Sequence, residues 1–130
     1  MTNYARLADL PVTKCRDAAA LAAQPFDAVV DALYGTGFHG SLRPAGLAAC
    51  ALMNRQRESG AFVLAVDLPS GINTDTGEAA EGAVRADLTV TFDSCKPLHT
   101  ASSSAPFCGE IVCADIGIRD EWHPAGLAQL

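Results

Sequence analysis

Four short apolar runs recur along the chain, set apart by polar and glycine-bearing breaks: AVVDAL at 28–33, FVLAVD at 62–67, LTVTF at 88–92 and EIVCADI at 110–116. Their length and β-branched content predict buried strands of a parallel sheet, because half-solvated hairpin strands alternate apolar and polar positions more strictly. PVTKC at 11–15 predicts a weaker strand. Between the first two runs, Leu47, Ala48, Ala51 and Leu52 make an apolar stripe, Pro44 suits a first turn and Ser59-Gly60 a stop, so a helix is expected over about 45–57. A shorter helix is expected over RDAAALAAQ, 16–24, and TASSSAP, 100–106, reads as a polar loop. Strand, helix and strand at this spacing imply a right-handed parallel βαβ unit, and so an α/β class with a Rossmann-like parallel sheet and flanking helices.

At 130 residues, 49% hydrophobic and 18% charged, the chain has the composition of one globular domain. The net charge of -6 and the lack of a Lys/Arg cluster exclude nucleic acid as the expected partner, since binding to phosphates rests on basic side chains. No apolar run approaches the roughly 20 residues that cross a bilayer, and the first residues do not read as a secretion signal, so no membrane partner and a cytoplasmic location are expected. The five cysteines are odd in number and form no CxxC pair, which favours reduced thiols over zinc or a disulfide framework.

Open α/β sheets bind ligands beyond the carboxyl ends of their strands. Here those ends are DALYGTGFHG, AVDLPSG and TVTFDSCKP. Alternation places Val29, Asp31 and Leu33 on one face, so the Asp31 carboxylate is either a cation ligand or satisfied by nearby backbone N–H groups. The glycines of GTGFHG either let the backbone approach a phosphate or ribose or simply make a tight loop. Asp67 lies at the ligand face or caps an Asx turn, with Pro69, Ser70 and Gly71 shaping the corner. Lys96 meets an anionic ligand or Asp67, or is solvated. His39 and His99 have no metal-ligand spacing and receive no role from it, and His123 is expected at the surface. Ser70 lacks the GxSxG frame of a nucleophile elbow.

In this order and spacing, DAVVDALYGTGFHGSLR, VLAVDLPSGINTDTGE, AVRADLTVTFDSCKP and GEIVCADIGI resemble the YjeF N-terminal domain family, the NAD(P)H-hydrate epimerases, most strongly over 27–118. The resemblance implies interconversion of the R and S epimers of the hydrated nucleotides NADHX and NADPHX, and a potassium ion as cofactor. It places Asp31 and Ser70 at the potassium site, and Gly35, Thr36, Gly37, Phe38, His39, Gly40 and Ser41 in the substrate-binding loop. It makes Asp67 a substrate-contacting, catalytic aspartate and Lys96 a second catalytic residue. The hydrated ring carries a hemiaminal hydroxyl, so epimerisation needs a proton delivered and removed at one oxygen; an Asp67 carboxyl shifted toward neutrality by a dry pocket is expected to do both.

Family members also carry a glycine- and asparagine-rich loop of the form GNNGGDG, whereas this sequence contains no Gly-Gly pair. Residues 1–130 are therefore expected to form a single, incomplete domain lacking the first βαβ portion. An exposed sheet edge should follow, inviting a homo-oligomer or a partner that supplies the missing N-terminal half. An ADP- or ATP-dependent NAD(P)H-hydrate dehydratase is a further expected functional partner. The alternatives are a truncated, inactive fragment, or a non-catalytic nucleotide-binding or dimerisation module, as in the mRNA-decapping enhancer and the apolipoprotein A-I-binding protein. Half of an ordinary NAD-dependent dehydrogenase is disfavoured, because the GxGxxG fingerprint is missing from the required strand–turn–helix context.

Overall fold

Sequential apolar runs that are rich in Val and joined by crossovers are satisfied by parallel pairing, and the computed structural model, which describes residues 3–15 and 17–122, shows this. Strands β1 (Ala28–Asp31), β2 (Phe62–Val66), β3 (Leu88–Phe92) and β4 (Glu110–Ala114) form one all-parallel sheet in the order β1-β2-β3-β4. Helix α1 spans Asn3–Arg6, α2 Pro44–Glu58, α3 Pro97–Thr100 and α4 Ala105–Cys108, with 3₁₀ turns at Leu7–Asp9, Ala18–Leu21 and Asp120–Trp122.

The α2 helix begins at Pro44, whose missing N–H costs nothing there, and ends where Ser59 and Gly60 donate back to its last carbonyls. It buries Cys50 and Met53 against Val63 and Ala65 of β2 and Val84 and Ala86 of the crossover. Leu68, Ile72, Ala83, Leu98 and Cys108 form a second cluster under the β2–β3 and β3–β4 connections. Both clusters lie on the sheet face reached by the odd-numbered strand residues, where Val63, Ala65, Thr89 and Thr91 are fully buried. On the opposite face Val30 is 58% exposed, Phe62 48%, Val112 41% and Phe92 37%, so the described residues cover them only in part. Parallel sheets ordinarily bury both faces, so this one is half dressed.

Several expectations are corrected. Residues 11–15 form no strand, because no neighbour offers them a ladder. Of the helix expected over 16–24, the described residues 17–24 form only the 3₁₀ turn of Ala18–Leu21, capped by the Asp17 carboxylate accepting from Ala19 N–H at 2.9 Å; so short a turn with no buried residue gains too little packing to nucleate an α-helix. The first strand ends at Asp31 rather than residue 33, where the Asp31 side chain turns back to accept from Leu33 N–H, leaving Leu33 48% exposed. Residues 100–106 are not a plain loop but link the end of α3 to the start of α4. All five cysteines are free thiols, and burial pushes Cys50 and Cys108 up to about 11, which keeps both unreactive. His123 lies outside the described residues.

The amino ends of β2 and β3 are fixed by Asp87. One carboxylate oxygen pairs with Arg57 at 2.7 Å, and the other accepts the Val63 N–H at 2.9 Å. Asp87→Ala strands that buried N–H and should lower unfolding free energy by about 1–3 kcal/mol. Arg57→Ala removes only a half-exposed ion pair and should cost less than about 1 kcal/mol. Urea denaturation of the two variants measures the difference.

Candidate active site

Strand register delivers three carboxyl ends to one rim of the sheet, where β1 ends on Asp31, β2 hands over to Asp67 and β3 hands over to Asp93 and the loop to Lys96. Asp31 is 1% exposed. Its Oδ2 accepts the Ser70 N–H at 2.7 Å and its Oδ1 accepts the Ser70 hydroxyl at 2.6 Å, while Ser70 Oγ in turn accepts the Tyr34 N–H at 3.0 Å. Burial raises the Asp31 carboxyl above its ordinary range, against the lowering effect of these hydrogen bonds. Among the described residues no cationic side chain is a partner of Asp31. The set is a buried carboxylate and a hydroxyl, both hard oxygen donors of the kind that suit a cation. Among the described residues no cluster of three or more His, Cys, Asp or Glu groups exists to hold a metal through protein charge.

The second centre is an ion pair. Lys96 Nζ lies 2.6 Å from Asp67 Oδ1, donates to Thr91 Oγ1 at 2.8 Å and to the Phe92 carbonyl at 3.1 Å, and Thr91 Oγ1 donates to Asp67 Oδ1 at 2.9 Å. Both charged side chains remain 22% exposed, so the pair faces the rim rather than the core. Burial by itself would raise the Asp67 carboxyl, but the hydrogen bonds from Lys96 and Thr91 and the Lys96 charge outweigh it, and the net shift is downward. This overturns the expected drift toward neutrality: Asp67 is held ionised. Its φ of +69° places a non-glycine residue in the left-handed region, a conformation that costs on the order of 1–3 kcal/mol and persists where surroundings hold it.

The glycine-bearing loop lies beside these groups. Thr74 Oγ1 donates to the Thr36 carbonyl at 3.4 Å, and Asn73 Nδ2 meets His39 Nδ1 at 3.2 Å. Phe38 turns inward, 8% exposed, with its ring 5.5 Å from that of Tyr34, and so anchors the loop. Gly40 needs its glycine for a φ of +77°, whereas Gly35 and Gly37 have ordinary φ values and only open space where a Cβ would point. Neither backbone strain nor internal packing explains those two glycines. Thr36, His39 and Ser41 are exposed on the same loop.

Two inward threonines were not singled out by sequence reasoning, and one histidine, His99, was given no role by it. Thr89 Oγ1 donates to the Cys108 carbonyl at 2.7 Å and Thr91 serves the ion pair; their signal is a pair of polar residues two apart on the core side of an apolar strand. His99, 7% exposed, lies three residues after Lys96 and contacts the backbone of both Lys96 and Asp67. Its signal is the third position of a helical turn opened by Pro97, where a side chain reaches back to the preceding N–H.

Comparison with known proteins matches residues 2–98 to the family described as YjeF-related protein N-terminus. The chain is 45% identical over 103 residues to the "Bifunctional NAD(P)H-hydrate repair enzyme Nnr" of Methanothermobacter thermautotrophicus, covering 79% of this chain and 19% of that protein. It is 44% identical over 97 residues to the protein of the same name from Archaeoglobus fulgidus, covering 75% and 20%. It is 40% identical over 113 residues to the "NAD(P)H-hydrate epimerase" of Pirellula staleyi, covering 87% and 48%. The chain thus spans from about a fifth to about half the length of these relatives.

The ion pair makes a testable electrostatic claim. Because Asp67 is depressed below its ordinary 3.8 in the folded state, its stabilising contribution is present above that value and is lost as pH falls through the folded pKa. Lys96→Met should move the Asp67 titration upward, followed by the carboxyl carbon shift in NMR, and should weaken the acid dependence of stability.

Proposed function

Because the chain belongs to the family of YjeF-related protein N-termini, we propose that it acts as an NAD(P)H-hydrate epimerase, interconverting the R and S epimers of NADHX and NADPHX with Asp67 as its proton-transfer group. The observation that carries this reading is the ionised Asp67 paired with Lys96 at 2.6 Å on the carboxyl rim of the sheet, beside a loop whose Gly35 and Gly37 leave room for a ligand. The relatives named for hydrated nicotinamide nucleotides support the substrate class.

An ionised carboxylate favours a base-first route. Asp67 takes the proton of the hemiaminal hydroxyl, the bond from that carbon to the ring nitrogen breaks, and its electron pair passes to nitrogen as a carbonyl forms. Rotation presents the other face, nitrogen attacks the carbonyl carbon, and Asp67 returns the proton to oxygen. The Lys96 ammonium keeps Asp67 ionised between turnovers and steadies the charge that develops on oxygen. Residues 35–41 hold the nucleotide: Gly35, Gly37 and Gly40 through close backbone approach, Thr36, His39 and Ser41 through polar groups, and Phe38 by pinning the loop.

The buried Asp31 carboxylate, with no cationic side-chain partner among the described residues, fits the potassium ion of the family, which it would hold together with Ser70. When bound, such an ion supplies the positive charge missing beside Asp31. The open edge of β1 and the groove of about 760 Å³ along it, lined by Val30, Leu33, Ala45, Ala49 and Leu52, would take up the further strand and helix of a complete family domain, or a second copy of this chain. Residues 1–130 are, in this reading, one incomplete domain working in a soluble, cytoplasmic setting; no helix among the described residues is long and apolar enough to cross a membrane. An ADP- or ATP-dependent NAD(P)H-hydrate dehydratase would consume the epimer this reaction supplies. The uncovered sheet face favours a second reading, a nucleotide-binding or dimerisation module without turnover.

Epimerisation of purified (R)- or (S)-NADHX in potassium buffer, followed by chromatography, separates the two readings. The expected result is acceleration over the uncatalysed rate that falls by ~10²–10⁴-fold in Asp67→Asn. A folded chain that binds NADP(H) in a thermal-shift assay yet accelerates nothing, alone or at high protein concentration, overturns the enzyme in favour of the module. Independently, potassium should raise the melting temperature of the native chain more than lithium does, and Asp31→Asn should erase that difference.

A further inference from the structure

His99 is a buried imidazole that touches the active pair from behind. Lys96 N–H donates to its Nδ1 at 3.0 Å, and its Nε2 lies 2.9 Å from the Asp67 carbonyl. A backbone N–H can only donate and a carbonyl can only accept, so the two partners fix the ring as the neutral tautomer with its proton on Nε2. The imidazole is therefore a bridge of fixed length between the backbones of the two residues whose side chains form the ion pair. From this geometry we infer that His99 is a positioning residue for the reaction, clamping the left-handed Asp67 backbone and the start of α3 so that Lys96 Nζ and Asp67 Oδ1 stay in contact. The inference rests on the epimerase reading for its kinetic consequence and on the bridge alone for its electrostatic one.

Each end of the clamp has little else to replace it. Asp67 N–H is spent on the Val90 carbonyl at 2.8 Å, which fixes the peptide before the left-handed residue, while His99 fixes the peptide after it. At the other end, His99 N–H donates to the Lys96 carbonyl at 2.9 Å, so ring and backbone close a reciprocal pair around Lys96. Leu98, fully buried between them, seats the turn in the second core cluster. The sequence KPLH, 96–99, is thus a single device: Pro97 starts the turn, Leu98 roots it and His99 locks it.

The bridge is pH-sensitive by construction. Protonation at Nδ1 would set an N–H against the Lys96 N–H and open the clamp. The charged groups facing the ring are Lys96, which opposes protonation, and Asp67, which favours it; burial dominates and lowers the imidazole below its ordinary 6.5. Function that depends on the neutral ring is complete above 6.5 and is lost as pH falls through the lower folded value.

The test uses the full chain with His99→Phe, which keeps ring bulk and loses both bonds, and His99→Gln, whose amide can remake one. Long-range ¹H–¹⁵N NMR of the native protein should show the Nε2–H tautomer. The Asp67 carboxyl titration should rise toward its ordinary range in His99→Phe and by less in His99→Gln. In the epimerisation assay, His99→Phe should lower kcat by about 10–10²-fold, the loss expected of a displaced catalytic group, with KM little changed. His99→Gln should recover part of that loss, and neither variant should keep the acid limb that begins below pH 6.5. A ring protonated on Nδ1, an Asp67 titration untouched in a folded His99→Phe, or equal kcat in all three proteins overturns the inference. A native chain with no epimerase activity overturns the functional reading and leaves the NMR outcomes to decide the clamp.

Discussion

The structure depends on Asp31 being buried. A carboxylate buried at the end of a strand must find donors or a cation, and Ser70 meets part of the need with both its N–H and its hydroxyl. That double contact ties the end of β1 to the turn that follows β2, across parallel strands that no short hairpin could join. Because Ser70 Oγ also receives the Tyr34 N–H, the same residue fixes where the glycine-bearing loop departs. Gly46 lets α2 cross above it, since a Cβ there would press on the Tyr34 ring, 2.9 Å from Cε2. One buried carboxylate thereby sets the relative placement of strand, helix and glycine-bearing loop.

From that anchor the chemistry is distributed by strand order. The turn Leu68–Gly71 is fully buried through Leu68, Pro69 and Ser70, which leaves Asp67 as the residue that must change direction, and it does so with a positive φ. The adjacent β3 supplies Thr91 on its core-facing side and then Lys96, so the ion pair forms across two neighbouring strands. The two aspartates end with opposite electrostatic fates within one rim. Asp31 has hydrogen bonds but no cationic side chain, and burial raises it; Asp67 has a lysine, and burial loses.

Much of this was legible in the sequence, and the parts that were not share a cause. The four strands and α2 are read correctly because each is a continuous pattern whose partners are the neighbouring patterns. Asp31, Asp67, Ser70 and Lys96 were singled out because ligands sit at strand ends in such sheets, and the structure joins them as two contacting pairs. The helix over 16–24 fails because local alanine content promises a helix that no packing supports. The direction of the Asp67 shift could not be read either: it is decided by whether Lys96 reaches 2.6 Å, a tertiary distance. His99 escaped because its importance lies in two backbone contacts, which a search for metal-ligand spacing does not see.

The one-sided sheet has a thermodynamic consequence. Unfolding releases less new apolar surface from Val30, Phe62, Phe92 and Val112 than from fully buried side chains, because water already reaches part of each. Apolar exposure is what makes the heat capacity of unfolding large and positive, ordinarily about 12–15 cal/mol/K per residue. A chain with one sheet face partly in water therefore unfolds with a smaller increment than a fully covered sheet of its length, and its stability varies less steeply with temperature. Covering that face would deepen the curvature as well as raise it, so the shape of a melting curve carries information about whether the second layer is in place.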